Sequence, residues 1–243
     1  MDVEAELTRQ ISKIGGVHVR TIVGDNPSFE NADFLFRSDC VVAELKSLDD
    51  DKMLDEHIIK AASDLYVEEL KIDRNLPVVF GQMMTSTAGR SEAFVRKIAA
   101  LYEKPIKALV EKANRQIRDT VKALGLSEAK GLLIVANNRH SALDPSHANY
   151  LLQRVLRRQT YSSINSVIYM SAGQQITSPN FDAPVDVFME IRRNTQPPIA
   201  SDFTTKFRTT WYQCLSAHRG IAEHHEIEVD SSFLLGLENR REA

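Results

Sequence analysis

Three side chains near the start of the chain have the types and spacing to do chemistry: Asp33, then ten residues, then Glu44-Leu45-Lys46. On a strand, alternate residues share a face, so Glu44 and Lys46 point one way and Leu45 the other. Val41, Val42, Ala43 and Leu45 make the strand apolar. A glutamate and a lysine inside such a strand are costly unless paired or bound to something. Asp33 opens the preceding strand of a hairpin that turns at Ser38-Asp39, and hairpin pairing can bring its carboxylate near Glu44. Two neighbouring carboxylates repel each other and invite a hard cation. Magnesium suits such a pair because it prefers oxygen ligands and keeps several waters. An ion held there can activate a water and stabilise the leaving oxygen of a phosphodiester. A lysine beside it can orient that water and balance developing charge. The blander reading of the same residues is a structural same-face ion pair between Glu44 and Lys46.

Other elements must position this set. Val3, Leu7, Ile11 and Ile14 recur at helical spacing over residues 2 to 14, and Gly15-Gly16 stops that helix. Residues 17 to 23 (VHVRTIV) are rich in β-branched types and read as a strand. Strands follow at 32 to 37 and 40 to 47, with Cys40 inside the second apolar run, where a small buried thiol is expected. A helical zone covers 49 to 72, residues 75 to 87 are ambiguous between a short strand and a buried loop, and 88 to 124 read as one or two helices broken near Pro105. Gly131 opens the apolar strand LLIVA. A helix over 145 to 158, strands at 163 to 170 and 185 to 191, and a helix over 203 to 217 complete the order. The expected fold class is α/β: a mixed sheet with helices on both faces, in a single domain spanning residues 1 to 243.

The segment Asn31-Ala32-Asp33, followed by Glu44-Leu45-Lys46 at the end of an apolar strand, resembles the PD-(D/E)XK nuclease superfamily. That superfamily includes restriction endonucleases, archaeal Holliday-junction resolvases and RecB-type exonucleases. The resemblance implies a restriction-endonuclease-like sheet and a metal-dependent nuclease acting on DNA. Asp33 and Glu44 would hold Mg2+ or Mn2+, the Leu45 carbonyl would add a ligand, and Lys46 would serve the nucleophilic water. Many members carry a further glutamate on the first helix, before two apolar residues at four-residue spacing and a glycine. Glu4, Leu7, Ile11 and Gly15 fit that pattern, and Glu4 lies nearer the centre of the apolar stripe than Glu6. Ala32 stands where the family name has proline. The chain between Lys46 and Gly131 exceeds a minimal core, which implies a helical insertion at about 49–103. RecB-type members place a glutamine, and four residues later a tyrosine, on the helix before the next strand; here these positions are Gln116 and Thr120. The alternative expectation is a nuclease-fold module without activity that binds nucleic acid or protein partners. Many members pair as homodimers, so a homodimer is among the states implied.

Composition narrows the classes. The 243 residues are 43% hydrophobic, enough to bury a core and too apolar for general disorder. The net charge of -3 means that any polyanion site is a local patch or depends on a bound cation. Two cysteines, Cys40 and Cys214, form no disulfide framework, and the acidic start (Met1-Asp2-Val3-Glu4) lacks a signal pattern; the expectation is cytoplasmic, without a membrane partner. Lys104, Lys107, Lys112, Arg115, Arg118 and Lys122, and a second cluster of Arg154, Arg157 and Arg158, read either as phosphate-binding faces or as solvated surface. Asn137-Asn138-Arg139-His140 reads as a polar turn after a strand. His218, His224 and His225 lack a metal-ligand spacing and read as surface residues. Trp211 falls among Phe207, Tyr212 and Leu215 at helical spacing and reads as core.

Overall fold

Period-two alternation decides which strand residues meet which layer of helices. In the computed structural model the described residues are 2–72, 90–140, 143–158, 160–172, 174–177, 185–193, 195–220 and 238–241. Strands β1 (Gly16–His18), β2 (Phe34–Phe36), β3 (Val41–Leu48), β4 (Lys130–Asn137), β5 (Ser166–Ser171) and β7 (Phe188–Arg192) form one six-stranded sheet in the order β1-β2-β3-β4-β5-β7. β3, β4 and β5 are parallel, while β1, β2 and β7 join by antiparallel pairing. β6 (Gln174–Thr177) and β8 (Glu238–Arg241) make a separate antiparallel ribbon.

Parallel neighbours need crossover connections. The β3–β4 connection carries α3 (Glu56–Ile72) and α4 (Glu92–Ala123), and the β4–β5 connection carries α5 (Pro145–Leu156). Ile106, Val110, Ala113 and Ile117 of α4, with Leu151 and Leu152 of α5, pack on the sheet face made by Val42, Leu133, Val135 and Val167. The opposite face, made by Val41, Ala43, Leu45, Leu132 and Ile134, is covered by α1 (Val3–Ile11) and α6 (Ser201–Arg219). Both faces are therefore buried, which is why the central strands read as continuous apolar runs. The architecture is α/β, with six helices among the described residues. Ala62 of α3 and Phe94 and Ile98 of α4 form a separate small cluster away from the sheet.

Several expectations are corrected. The strand expected over 17 to 23 stops at His18, and α2 (Arg20–Val23) follows as a single helical turn. The Val19 N–H still donates to the Asp33 carbonyl at 2.8 Å, in register with β1–β2. The Thr21 hydroxyl then donates to the His18 carbonyl at 2.7 Å, and the Ile22 and Val23 N–H groups turn back to the Val19 carbonyl, so local bonds override β-propensity. Cys40 is exposed, not buried: it closes the turn before β3 with φ of 51°. Of the one or two helices expected over 88 to 124 the structure has one: α4 passes Pro105 without a break and runs for 32 residues. Proline removes only one helical hydrogen bond there, and buried Glu103, Ile106 and Val110 hold the helix on either side. The ambiguous stretch 75 to 87 lies outside the described residues. Gly131 is required by packing: a Cβ there would stand 1.8 Å from the Ser163 carbonyl oxygen.

Candidate active site

The site forms where β2 and β3 part. Their antiparallel register pairs Phe34 with Ala43 and ends there, which sets Asp33 opposite Glu44. Continued by two residues, the ladder would join Ala32 and Leu45 through both of their backbone bonds. Neither bond is made in that way. The Leu45 N–H donates instead to Asp33 Oδ2 at 2.8 Å, and the Ala32 N–H donates to Thr120 Oγ1 on α4 at 2.7 Å. A strand residue's N–H and C=O lie along the same edge, so the Leu45 carbonyl lies along the edge shared with Asp33. It lacks the ladder donor that Ala32 would have supplied.

Glu44 sits on the opposite side of the strand from Leu45, facing the α4 layer with Val42. It is 1% exposed. One oxygen accepts a hydrogen bond from Lys46 Nζ, two residues along on the same face. The other, Oε2, is buried and meets no donor. Burial pushes the Glu44 carboxyl up to about 8, and the neighbouring Asp33 carboxylate pushes in the same direction, against the opposing pull of Lys46. The structure thus brings two carboxylates together in a region that disfavours charging both.

Lys46 is held from a second side. Its Nζ also donates to Gln116 Oε1 at 3.0 Å, while Gln116 Nε2 donates to the Asn31 carbonyl at 3.1 Å. Gln116 therefore spans from the lysine to the segment that carries Asp33. One residue before it, Arg115 makes two hydrogen bonds to Glu30, at 2.8 and 3.2 Å, fastening the same segment at the surface.

Asp33, Glu44, Leu45, Lys46 and Gln116 converge. Glu4 does not join them. It is exposed on α1, whose Val3, Leu7 and Ile11 pack on the sheet face opposite to Glu44 and Lys46. Among the described residues no three His, Cys, Asp or Glu side chains gather in a metal-holding group. A cation here would rest on two carboxylates and a backbone carbonyl. That set fits magnesium, which takes oxygen ligands, needs few from protein and retains waters. The undonated Glu44 Oε2 is the specific feature that such an ion would satisfy.

The remaining sequence features resolve mostly into structure. Arg154 and Arg158 of the second basic cluster both bond to buried Glu103, tying α5 to α4. On α4, Lys107 pairs with Glu111 and Arg118 with Asp119. Asn137 is buried; its amide donates to the His140 and Leu143 carbonyls and to the Tyr169 hydroxyl, and its carbonyl accepts from the His140 N–H. Asp51 takes up His140 at 2.9 Å, so the turn after β4 is a packed corner. Trp211 is buried in the core. His218 is exposed, and His224 and His225 lie outside the described residues. Two features escaped sequence reasoning: the Thr120 hydrogen bond, which joins positions 88 residues apart without a local signal, and the Glu103 bridge. The chain matches no protein-family model, and no curated protein and no solved structure shows detectable similarity to it.

Proposed function

We propose that this chain is a divalent-metal-dependent nuclease that hydrolyses phosphodiester bonds in DNA, on a restriction-endonuclease-like variant of its α/β fold. The observation that carries the reading is the pairing of Asp33 with a buried Glu44 whose Oε2 meets no donor. Support also comes from element order: helix, strand, antiparallel hairpin, crossover helices, then a parallel strand. Asp33, Glu44 and the Leu45 carbonyl would hold Mg2+ or Mn2+. When bound, the ion supplies Lewis acidity to the phosphate and to a coordinated water. The chain's own residues do the rest. Lys46 moves from Glu44 toward the attacking water, which it orients, and its charge balances the phosphate. Gln116 limits where that ammonium can go by holding it from the α4 side.

A second reading rests on a specific observation: only two acidic groups converge among the described residues. It makes the chain an inactive nuclease-fold module that binds nucleic acid or a protein partner. One experiment separates the two. Purified protein is incubated with plasmid DNA and magnesium or manganese, and compared with Asp33→Asn and Lys46→Ala. Metal-dependent cleavage lost in both folded variants supports the nuclease. Cleavage equal in the variants, or calorimetry showing neither ion bound, sinks it.

A further inference from the structure

Thr120 and Gln116 stand one turn apart on α4 and grip the two ends of a single peptide group. Gln116 Nε2 donates to the Asn31 carbonyl, and Thr120 Oγ1 accepts from the Ala32 N–H. Both Thr120 and Ala32 are fully buried. Without Thr120, the Ala32 N–H would be a buried donor in search of an acceptor. Extension of the β2–β3 ladder provides one two residues beyond the Phe34–Ala43 pair: the Leu45 carbonyl. Capture of that carbonyl would also draw Asp33, the next residue, away from its bond to the Leu45 N–H.

We propose that Thr120 is a positioning residue: by occupying the Ala32 N–H it keeps the β2–β3 ladder from closing over the Leu45 carbonyl, and so keeps that carbonyl and Asp33 open to a divalent cation. This rests on the metal-dependent reading of the site. Thr120 touches neither cation nor substrate; it acts through the Asn31–Ala32 peptide. Its buried side is consistent with that role, since the hydroxyl has no exposure from which to meet a ligand.

The role predicts a compensation that a purely structural one would not. Proline has no N–H, so a proline at 32 cannot bond the Leu45 carbonyl whatever stands at 120. Its ring Cδ takes the direction of the lost N–H, where alanine at 120 leaves room. The test measures Mn2+ and Mg2+ binding by calorimetry on the full chain, alongside plasmid cleavage as a function of metal concentration. Thr120→Ala should weaken metal binding about 10- to 100-fold, the range for groups that orient metal ligands. Excess metal should recover its cleavage rate, with the KM for DNA unchanged. Thr120→Ser keeps the acceptor and should bind as wild type. Thr120→Ala combined with Ala32→Pro should regain the affinity that Thr120→Ala loses. A Thr120→Ala protein that is folded by circular dichroism and binds metal as wild type does overturns the proposal. So does a folded double variant no better than Thr120→Ala. A wild type that binds neither ion overturns the metal reading and this role together; a wild type that binds, with an indifferent Thr120→Ala, overturns this role alone.

Discussion

Glu44→Gln in the metal-free protein should make the chain more stable, and increasingly so as pH rises. The reasoning starts from burial. Glu44 ordinarily titrates near 4.5, and in the fold its carboxyl is pushed up to about 8 by burial and by Asp33. The folded state therefore holds a proton that the unfolded chain releases. The stability this proton confers is fully present below about pH 4.5. It is lost as pH rises toward 8, and the loss levels off once both states are deprotonated. At about 1.4 kcal/mol per pH unit, the loss is roughly 1 kcal/mol at pH 5, roughly 3 at pH 7 and nearly 5 above pH 8, as orders of magnitude. Glutamine does not titrate and can still accept from Lys46, so its stability curve should lack this slope. The assay is urea unfolding of wild type and Glu44→Gln in chelator at pH steps from 5 to 9. The two free-energy curves should diverge with rising pH. Added Mn2+ should flatten the wild-type curve, because a bound cation favours the charged carboxylate. Parallel curves without metal would refute the argument that Glu44 is held against its own ionisation.

Three further outcomes follow from the geometry. Gln116→Leu removes an acceptor from Lys46 and a donor from the Asn31 carbonyl; cleavage should fall about 10- to 100-fold, with a stability loss of about 1 kcal/mol, as measured by plasmid nicking and denaturant titration. Gly131→Ala drives a Cβ into the Ser163 carbonyl at 1.8 Å, which should cost about 3 kcal/mol or prevent folding, read from the thermal midpoint and soluble yield. Glu4→Ala should leave metal affinity unchanged in calorimetry and alter stability by less than about 0.5 kcal/mol, because Glu4 is exposed on the helix covering the other sheet face.

The chemistry-bearing strand was legible because its signal is local. Alternation and apolar flanks fix β3 to within a residue of its expected span, and the β2–β3 register puts Asp33 opposite Glu44. Gln116 was reached only through the resemblance, from its place on the helix before the next strand, and the fold sets it against Lys46. Glu4 shows where such reasoning stops. A helical wheel identifies the buried stripe of a helix but not which face of a sheet the stripe covers, and α1 covers the face away from Glu44. The strand expected over 17 to 23 fails for a related reason. β-branched residues favour extended backbone, but the β1–β2 pairing ends with the Val19 N–H on the Asp33 carbonyl, and the Val19 carbonyl is taken by the Ile22 and Val23 N–H groups of a helical turn. The unbroken α4 reflects packing along its length, which a proline does not report.

The same residues also admit the bland reading, since Lys46 does pair with Glu44. What separates the two readings is how well the pair is satisfied. A buried ion pair retained for stability alone needs its remaining oxygen bonded, because an undonated carboxylate oxygen in the interior forfeits hydration without return. Here Glu44 Oε2 meets no donor and faces the Asp33 carboxylate, which a protonated Glu44 can bond but an ionised Glu44 cannot, so it is the ionised form that is left unbalanced. The backbone around it is arranged in the same sense. Both ladder bonds of the Ala32–Leu45 pair, one of which would cap the Leu45 carbonyl, are diverted: the Leu45 N–H to Asp33 and the Ala32 N–H to Thr120. Local rules are broken at three adjoining points of one strand end, and in each case the group left wanting is an oxygen or the gain goes to a residue that holds one in place. Oxygens short of donors along one strand end are what the proposed hard cation would satisfy, and they are the support for that proposal over a purely structural ion pair.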